Sequence, residues 1–218
     1  MRYVSLLSGG LDSVVATTAA AREGRVELAL TFDYGQRAAP AEVGAAAAAC
    51  RELGVPHRVI DLPWLSEVTG TALVKRTAAL PELASDELDD PSLTRASATA
   101  VWVPNRNGVF INVAAAFAEN LSCEAVVCGF NAEEGRTFPD NTPEFAAAAT
   151  AALRYSTANA VRVVSPTQHL TKPEIVALGR RLSAPLAKIW SCYGAGPEPC
   201  GKCESCLRLQ RALAAAQP

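Results

Sequence analysis

Two short stretches of this sequence carry residue types at spacings that can do chemistry. The first is Ser8-Gly9-Gly10-Leu11-Asp12-Ser13, directly after the apolar run Tyr3–Leu7. Adjacent glycines let backbone N–H groups close on an anion with no Cβ in the way. A helix opening at this point adds unpaired N–H donors and the positive end of its dipole. Ser8 and Ser13 offer hydroxyl donors to phosphate oxygens. Asp12 has two readings, a ligand for Mg²⁺ shared with those oxygens or a cap for the helix. The loop has neither the G-x-x-x-x-G-K-[ST] nor the G-x-G-x-x-G spacing.

The second stretch is Cys192, Cys200, Cys203 and Cys206. A C-x₂-C pair lets two thiolates reach one ion from a tight turn, and Gly201 supplies the turn. Four thiolates around tetrahedral Zn²⁺ make a closed structural site that pins the chain end and contributes folding energy. An iron–sulfur cluster is the rival ligand, because C-x₂-C-x₂-C also occurs in ferredoxin-like runs. Cys50, Cys123 and Cys128 fall in predicted helix or strand and read as core residues. His57 and His169 are isolated and read as structural.

These residues need elements to position them. Tyr3–Leu7, Val26–Phe32, His57–Asp61, Ala125–Cys128 and Val161–Val164 read as short buried strands. Between them, Ser13–Arg22, Pro40–Leu53, Asn107–Asn120, Pro143–Leu153 and Lys172–Leu182 read as helices, with a final one over Cys206–Ala215. Such alternation predicts an α/β fold with a doubly wound, mainly parallel five-stranded sheet flanked by helices. Ligands of such sheets sit beyond the carboxyl ends of the strands, where strand order reverses. Residues 1–185 form the expected α/β domain, and 186–218 a small Cys₄ zinc knot packed on it. Ser66–Ala100 breaks the rhythm with prolines and an acidic cluster. It reads as an excursion with one short helix, either a lid or oligomer contact or a solvated loop.

Several motifs together resemble one family. Ser8–Ser13 resembles the pyrophosphate loop of the PP-loop ATP-pyrophosphatases, and with the cysteine knot it resembles the 7-cyano-7-deazaguanine synthases, the QueC family. Phe32-Asp33-Tyr34-Gly35-Gln36, Val103-Pro104-Asn105-Arg106-Asn107, Gly129-Phe130-Asn131-Ala132, Phe138-Pro139-Asp140, Leu170–Ile175 and Trp190–Tyr193 are similar to further family segments. One stretch departs: the family's Asp-Tyr-Ser-Gly-Tyr-Pro-Asp-Cys-Arg stands here as Glu134–Thr142, with Asn141 and Thr142 in place of Cys and Arg.

The resemblance implies an ATP-dependent ligase that turns 7-carboxy-7-deazaguanine and ammonia into a nitrile through adenylated intermediates, with ATP, Mg²⁺ and Zn²⁺. It implies an ATP site at Leu7, Ser8, Gly9, Gly10, Leu11, Asp12, Ser13 and Val14, with Phe32, Tyr34 and Gln36 at the adenosine end. Asp12, Arg106 and Lys172 are the expected catalytic residues. Arg106 reads either as a bidentate anion ligand or as a helix-start residue pairing locally, and Lys172 either as mobile positive charge or as first-turn surface. Asn107, Asn131, Arg136 and Asp140 are expected to face the substrate, Asn131 as a base reader or a turn stabiliser. Either Arg136 compensates the charge lost at Thr142, or the substrate differs. A homodimer is also implied.

Composition sets the outer bounds. Half of the 218 residues are hydrophobic, ample for a core. A net charge of −2 disfavours a protein that blankets a nucleic-acid backbone. The N-terminal run is too short for a secretory signal, and no stretch is long and apolar enough to span a membrane. Cytoplasmic location and no nucleic-acid partner are therefore expected. Two other functions stay open: a PP-loop enzyme adenylating a different substrate, and a zinc-stapled ATP-binding module without turnover.

Overall fold

The computed structural model describes residues 1–216. Its centre is a five-stranded parallel sheet of order β3-β2-β1-β4-β5. The strands are β1 (Arg2–Leu6), β2 (Arg25–Asp33), β3 (His57–Asp61), β4 (Ala125–Val127) and β5 (Arg162–Val164). Strands β1 and β4 are near-continuous apolar runs because helices cover both of their faces. Val4 and Val126 point to one face, against Ile111 and Ala114 of α5 (Arg106–Asn120) and Leu153 of α6 (Pro143–Ser156). Tyr3, Ala125 and Val127 point to the other, against Ala16 and Ala20 of α1 (Leu11–Glu23). On that face α2 (Ala39–Leu53) packs Ala46, Ala49 and Cys50 on Leu7, Val14 and Ala29. A buried hydroxyl pair, Ser5 Oγ to Thr17 Oγ1 at 2.7 Å, ties β1 to α1.

The order of strands reverses between β1 and β4, so the segments leaving them, Leu7–Gly10 and Cys128–Asn131, part around one crevice. Gly129 is required there, since a Cβ on it would lie 2.7 Å from Ser13 N and 2.8 Å from Ser13 Cα. Gly9 has φ +82°, and a Cβ on it would meet Ala45 and the backbone of Ala46 and Glu42 at 2.8 Å. Its absence of a side chain therefore serves the close approach of α2 as well as the turn.

The excursion is more ordered than its sequence suggests. It opens near the single turn α3 (Trp64–Glu67) and contains a 3₁₀ turn at Glu87–Asp89 and the helix α4 (Pro91–Ala100). Asp90 caps α4 by accepting from Ser92 N at 2.7 Å and Leu93 N at 3.3 Å. It is tied to the cysteine-bearing segment: Glu82 bridges to Cys203, and Arg211 forks onto Asp89 at 2.8 and 2.9 Å.

The remaining helices are α7 (Lys172–Arg181) and α8 (Glu204–Ala215). Leu11, Val15, Ile175 and Val176 form a small core with Ala212 of α8, and Leu186 and Ile189 join it. That core packs the cysteine-bearing segment on the α/β unit. Residues 217 and 218, the last two of the expected knot, lie outside the described residues. Two predicted boundaries move: α1 starts at Leu11 rather than Ser13, and α8 at Glu204 rather than Cys206. Gly129→Ala is expected to destabilise the fold by about 1–3 kcal/mol through this overpacking. Urea unfolding checks it, and an unchanged midpoint would contradict the β4–α1 contact.

Candidate active site and cysteine cluster

A cavity of about 270 Å³ opens at the strand-order reversal. Its walls include Ser8, Gly10, Asp12 and Ser13 from the loop after β1, and Phe32, Tyr34 and Gln36 from the end of β2. Helix α1 has Gly10 as its N-cap with no side-chain cap, so its first-turn N–H groups are left for another acceptor. The hydroxyls of Ser8 and Ser13 lie 3.1 Å apart at its mouth. This is an anion-binding arrangement of N–H and O–H donors at the positive end of a helix.

Lys172 is the charge at the centre. Its Nζ donates to Asp12 Oδ2 at 2.7 Å and to Glu134 Oε1 at 2.8 Å. Burial alone would push the ammonium down, but the two carboxylates overcome it and raise Lys172 above the ordinary lysine range. The carboxylates differ in their neighbours: Asp12 feels Glu134 and Glu133 besides Lys172, whereas Glu134 has Asn131 and Arg106 in addition to the lysine. Burial drives Asp12 up to about 6 despite the lysine. Glu134 also feels burial, yet Lys172 holds it below the usual carboxylate range. Asp12 Oδ1 is buried and has no hydrogen-bond partner in the protein. Such an oxygen suits a cation, as an unsatisfied buried acceptor is otherwise costly.

Arg106 lines the cavity from the start of α5, its Nη1 donating to the Tyr34 hydroxyl at 3.2 Å. Its guanidinium lies 5.9 Å from the centre of the Tyr34 ring. The local-pairing reading of Arg106 is thus present, and the side chain still faces the cavity. Asn107 also lines the wall and donates to the Asp140 carbonyl at 3.4 Å. The Asp140 carboxylate accepts from Asn141 Nδ2 at 3.1 Å, and Asn141 rather than Asp140 reaches the wall. Asn131 takes its turn-stabilising reading: Oδ1 accepts from Glu133 N at 3.0 Å and Glu134 N at 2.9 Å. Gln36 is likewise committed to its own turn, accepting from Tyr34 N and donating to the Phe32 carbonyl and Glu42.

Leu7 and Leu11 contribute to the wall, but the predicted residues Gly9, Val14, Asn131, Arg136 and Asp140 do not. Val14 is wholly buried beneath the loop in the core beside α2, because the helix turns it toward the sheet. Arg136 sits exposed on the outer side of the 3₁₀ turn Glu134–Arg136, away from the wall. His57 is held by Thr31 Oγ1 at 2.8 Å, and His169 is exposed. Glu134, Glu42, Trp190 and Tyr193 are cavity residues to which the sequence assigned no role, although Trp190 and Tyr193 lie in the family-like segment Trp190–Tyr193. The acidic pair Glu133-Glu134, just past a predicted strand end, was the available signal for the first. No periodicity marks the others.

The four C-terminal cysteines converge, their Sγ atoms all within 4.8 Å of one another. Tetrahedral Zn–S bonds of about 2.3 Å place sulfurs about 3.8 Å apart, so a small closure completes such a site. Gly194 N and Cys200 N donate to Cys192 Sγ at 3.2 and 3.3 Å, and Cys203 N to Cys200 Sγ at 3.3 Å. Those donors stabilise thiolate charge, which suits a metal centre. The segment also builds the active cavity: Trp190 N donates to the Gly9 carbonyl at 2.9 Å, and Trp190, Ser191 and Tyr193 line the wall. Among the described residues no helix is long and apolar enough to cross a membrane.

Comparison with known proteins agrees with this geometry. The model of the queuosine biosynthesis protein QueC matches residues 2–217. A 7-cyano-7-deazaguanine synthase of Desulforamulus reducens is 59% identical, covering 98% of this chain and 93% of its own. One from Pelotomaculum thermopropionicum is 57% identical over 97% and 96%. A predicted tRNA methyltransferase subunit from Methanocaldococcus jannaschii shares the fold, with TM-score 0.50 at 17% identity, covering 83% of this chain and 74% of that one.

Replacing Lys172 by Met strands two buried carboxylates, which is expected to cost about 3 kcal/mol at pH 8. Losing the cation raises Asp12 further and removes what holds Glu134 down, so burial raises both in the folded state, and below their new range the fold binds more protons than the unfolded chain. Stability of the variant then falls as pH rises, and the deficit shrinks at pH 5. Urea unfolding at both pH values measures it, and a pH-independent deficit would contradict the paired-carboxylate geometry.

Proposed function

This chain belongs to the QueC queuosine biosynthesis family, and we propose that it converts 7-carboxy-7-deazaguanine and ammonia to 7-cyano-7-deazaguanine at the expense of ATP. The observation that carries this reading is one cavity uniting the Ser8–Ser13 loop with Arg106, Asn107 and Lys172. A carboxylate is a poor electrophile, so one of its oxygens must become a leaving group. Attack of that oxygen on the α-phosphorus of ATP breaks the α–β bond and releases pyrophosphate at the N-terminus of α1. Ser8, Ser13 and the first-turn N–H groups meet its charge. Ammonia then attacks the acyl carbon, AMP leaves with the former carboxylate oxygen, and a proton is lost to give the amide. The amide oxygen attacks a second ATP in the same way. Loss of the second AMP and of the N–H protons leaves the nitrile. No covalent enzyme nucleophile is needed, so positioning and charge carry the rate.

Within that cycle Lys172 and Arg106 would face phosphate or carboxylate oxygens, Arg106 in bidentate fashion. Asn107 and Asn141 would present amides to the deazaguanine edge. The unpartnered Asp12 Oδ1 makes Asp12 the residue to hold Mg²⁺, which when bound neutralises charge on the phosphates. Cys192, Cys200, Cys203 and Cys206 would hold structural Zn²⁺, and the rest of their segment closes the cavity wall.

Purified protein mixed with ATP, Mg²⁺, ammonium and 7-carboxy-7-deazaguanine is expected to form nitrile together with AMP, followed by mass spectrometry. Absence of conversion by protein that still binds ATP would move the substrate assignment to another carboxylate or amide. For the metal, elemental analysis is expected to find one zinc per chain. Cys203→Ser should lose it and lower the melting temperature by several degrees, roughly the effect of losing 1–2 kcal/mol in a domain of this size. Iron in place of zinc, or full zinc in Cys203→Ser, would contradict the Cys₄ zinc assignment.

A further inference from the structure

Lys172 owes its place to the first turn of α7 as well as to its two carboxylates. Its backbone N–H donates to Glu133 Oε1 at 2.7 Å. The other oxygen of Glu133 lies 3.6 Å from Arg208 Nη1. Arg208 stands on α8, where Nε and Nη2 each meet Glu204 Oε1 at 2.8 Å and Nη2 donates to the Leu88 carbonyl at 3.2 Å. The side chains of Arg208, Glu133 and Glu204 are only 15, 16 and 10% exposed. Cys203 caps α8 and Cys206 lies in its first turn, so the cysteine cluster sets where Arg208 stands.

We propose that Arg208 is a positioning residue for the reaction: acting through Glu133, it fixes the first turn of α7 and so the place of the Lys172 ammonium. The proposal rests on the reading of this cavity as an adenylating centre. The bond to Glu204 lies within α8 and the bond to the Leu88 carbonyl ties α8 to the Glu87–Asp89 turn, so the contact to Glu133 alone links Arg208 to the Lys172 side of the cavity. Glu133 needs that contact for another reason. It is the immediate neighbour of Glu134 and accepts from the Lys172 backbone N–H, so without a cation of its own it would compete for the Lys172 ammonium. Arg208 satisfies Glu133 and leaves Lys172 to Asp12 and Glu134.

The test compares Arg208→Gln, Glu133→Gln and the double variant with the wild type, each with its metal content measured. Acylation of Lys172 by acetic anhydride, read by peptide mass spectrometry, reports the ammonium's protection without any turnover. Steady-state nitrile formation gives kcat and the KM for ATP. Either single variant is expected to speed Lys172 acylation about tenfold and to lower kcat by about 10–100-fold, with KM for ATP within about threefold. The double variant is expected to match the singles, because both remove one route. Wild-type acylation in Arg208→Gln, or losses that multiply in the double variant, would overturn the proposal. Should Arg208→Gln lose its metal, Glu133→Gln alone must show both effects, and its failure to do so overturns the proposal equally. A wild type that forms no nitrile would refute the substrate reading, while the acylation rates still decide the role of Arg208.

Discussion

Lys172 reaches from the first turn of α7 to Asp12 in the first turn of α1 and to Glu134 beyond β4, so one cation joins the segments that converge where strand order reverses. Two carboxylates this close and this buried repel each other strongly unless a cation lies between them. The fold therefore needs Lys172 charged, and the charged Lys172 in turn decides what the cavity accepts. With Asp12 and Glu134 both ionised, the cluster keeps a net negative charge beside an anion-binding helix terminus. A triphosphate enters such a place only with further positive charge, and the unpartnered Asp12 oxygen is where that charge would be received.

The cysteine segment is as much a part of the site as the phosphate loop. Trp190 bonds to the Gly9 carbonyl, and the residues that follow it wall the cavity before the chain reaches the thiolates. Loss of the cluster would release that wall together with α8, so stability and catalysis share one support. Within this architecture the excursion has a definite task. Leu73 closes another side of the cavity, together with Val101 just past the excursion's end, while Asp89 and Glu82 hold to the cysteine segment.

Much of this was legible from residue order. Continuous apolar strands alternating with amphipathic helices specify a parallel sheet, and the glycine-rich turn after β1 specifies where the anion goes. The cysteine spacing points to a four-thiolate site, because C-x₂-C pairs around the Gly201 turn bring thiolates to one ion, although spacing alone does not separate zinc from an iron–sulfur cluster. What stayed hidden depended on distance in space. Nothing local distinguishes Lys172 as a buried ion-pair partner from a lysine at the start of an exposed helix; its capping box, Thr171 with Glu174, favours either. Arg136 looked like replacement charge by position in the chain, yet the 3₁₀ turn presents it outward. Val14 belongs to the loop by sequence and to the core by helical phase. Arg208 and Glu133 lie far apart in the chain, and only the packing of α8 on α7 brings them together.

In the proposed reaction the cavity activates a carboxylate by adenylation, with pyrophosphate leaving at the N-terminus of α1. The most direct measurement follows oxygen from 7-carboxy-7-deazaguanine labelled with ¹⁸O in both carboxylate positions. Adenylation of the carboxylate and then of the amide predicts two AMP per nitrile, each carrying one ¹⁸O, and unlabelled pyrophosphate. Label appearing in inorganic phosphate alongside ADP, or lost to water with unlabelled AMP, would contradict it.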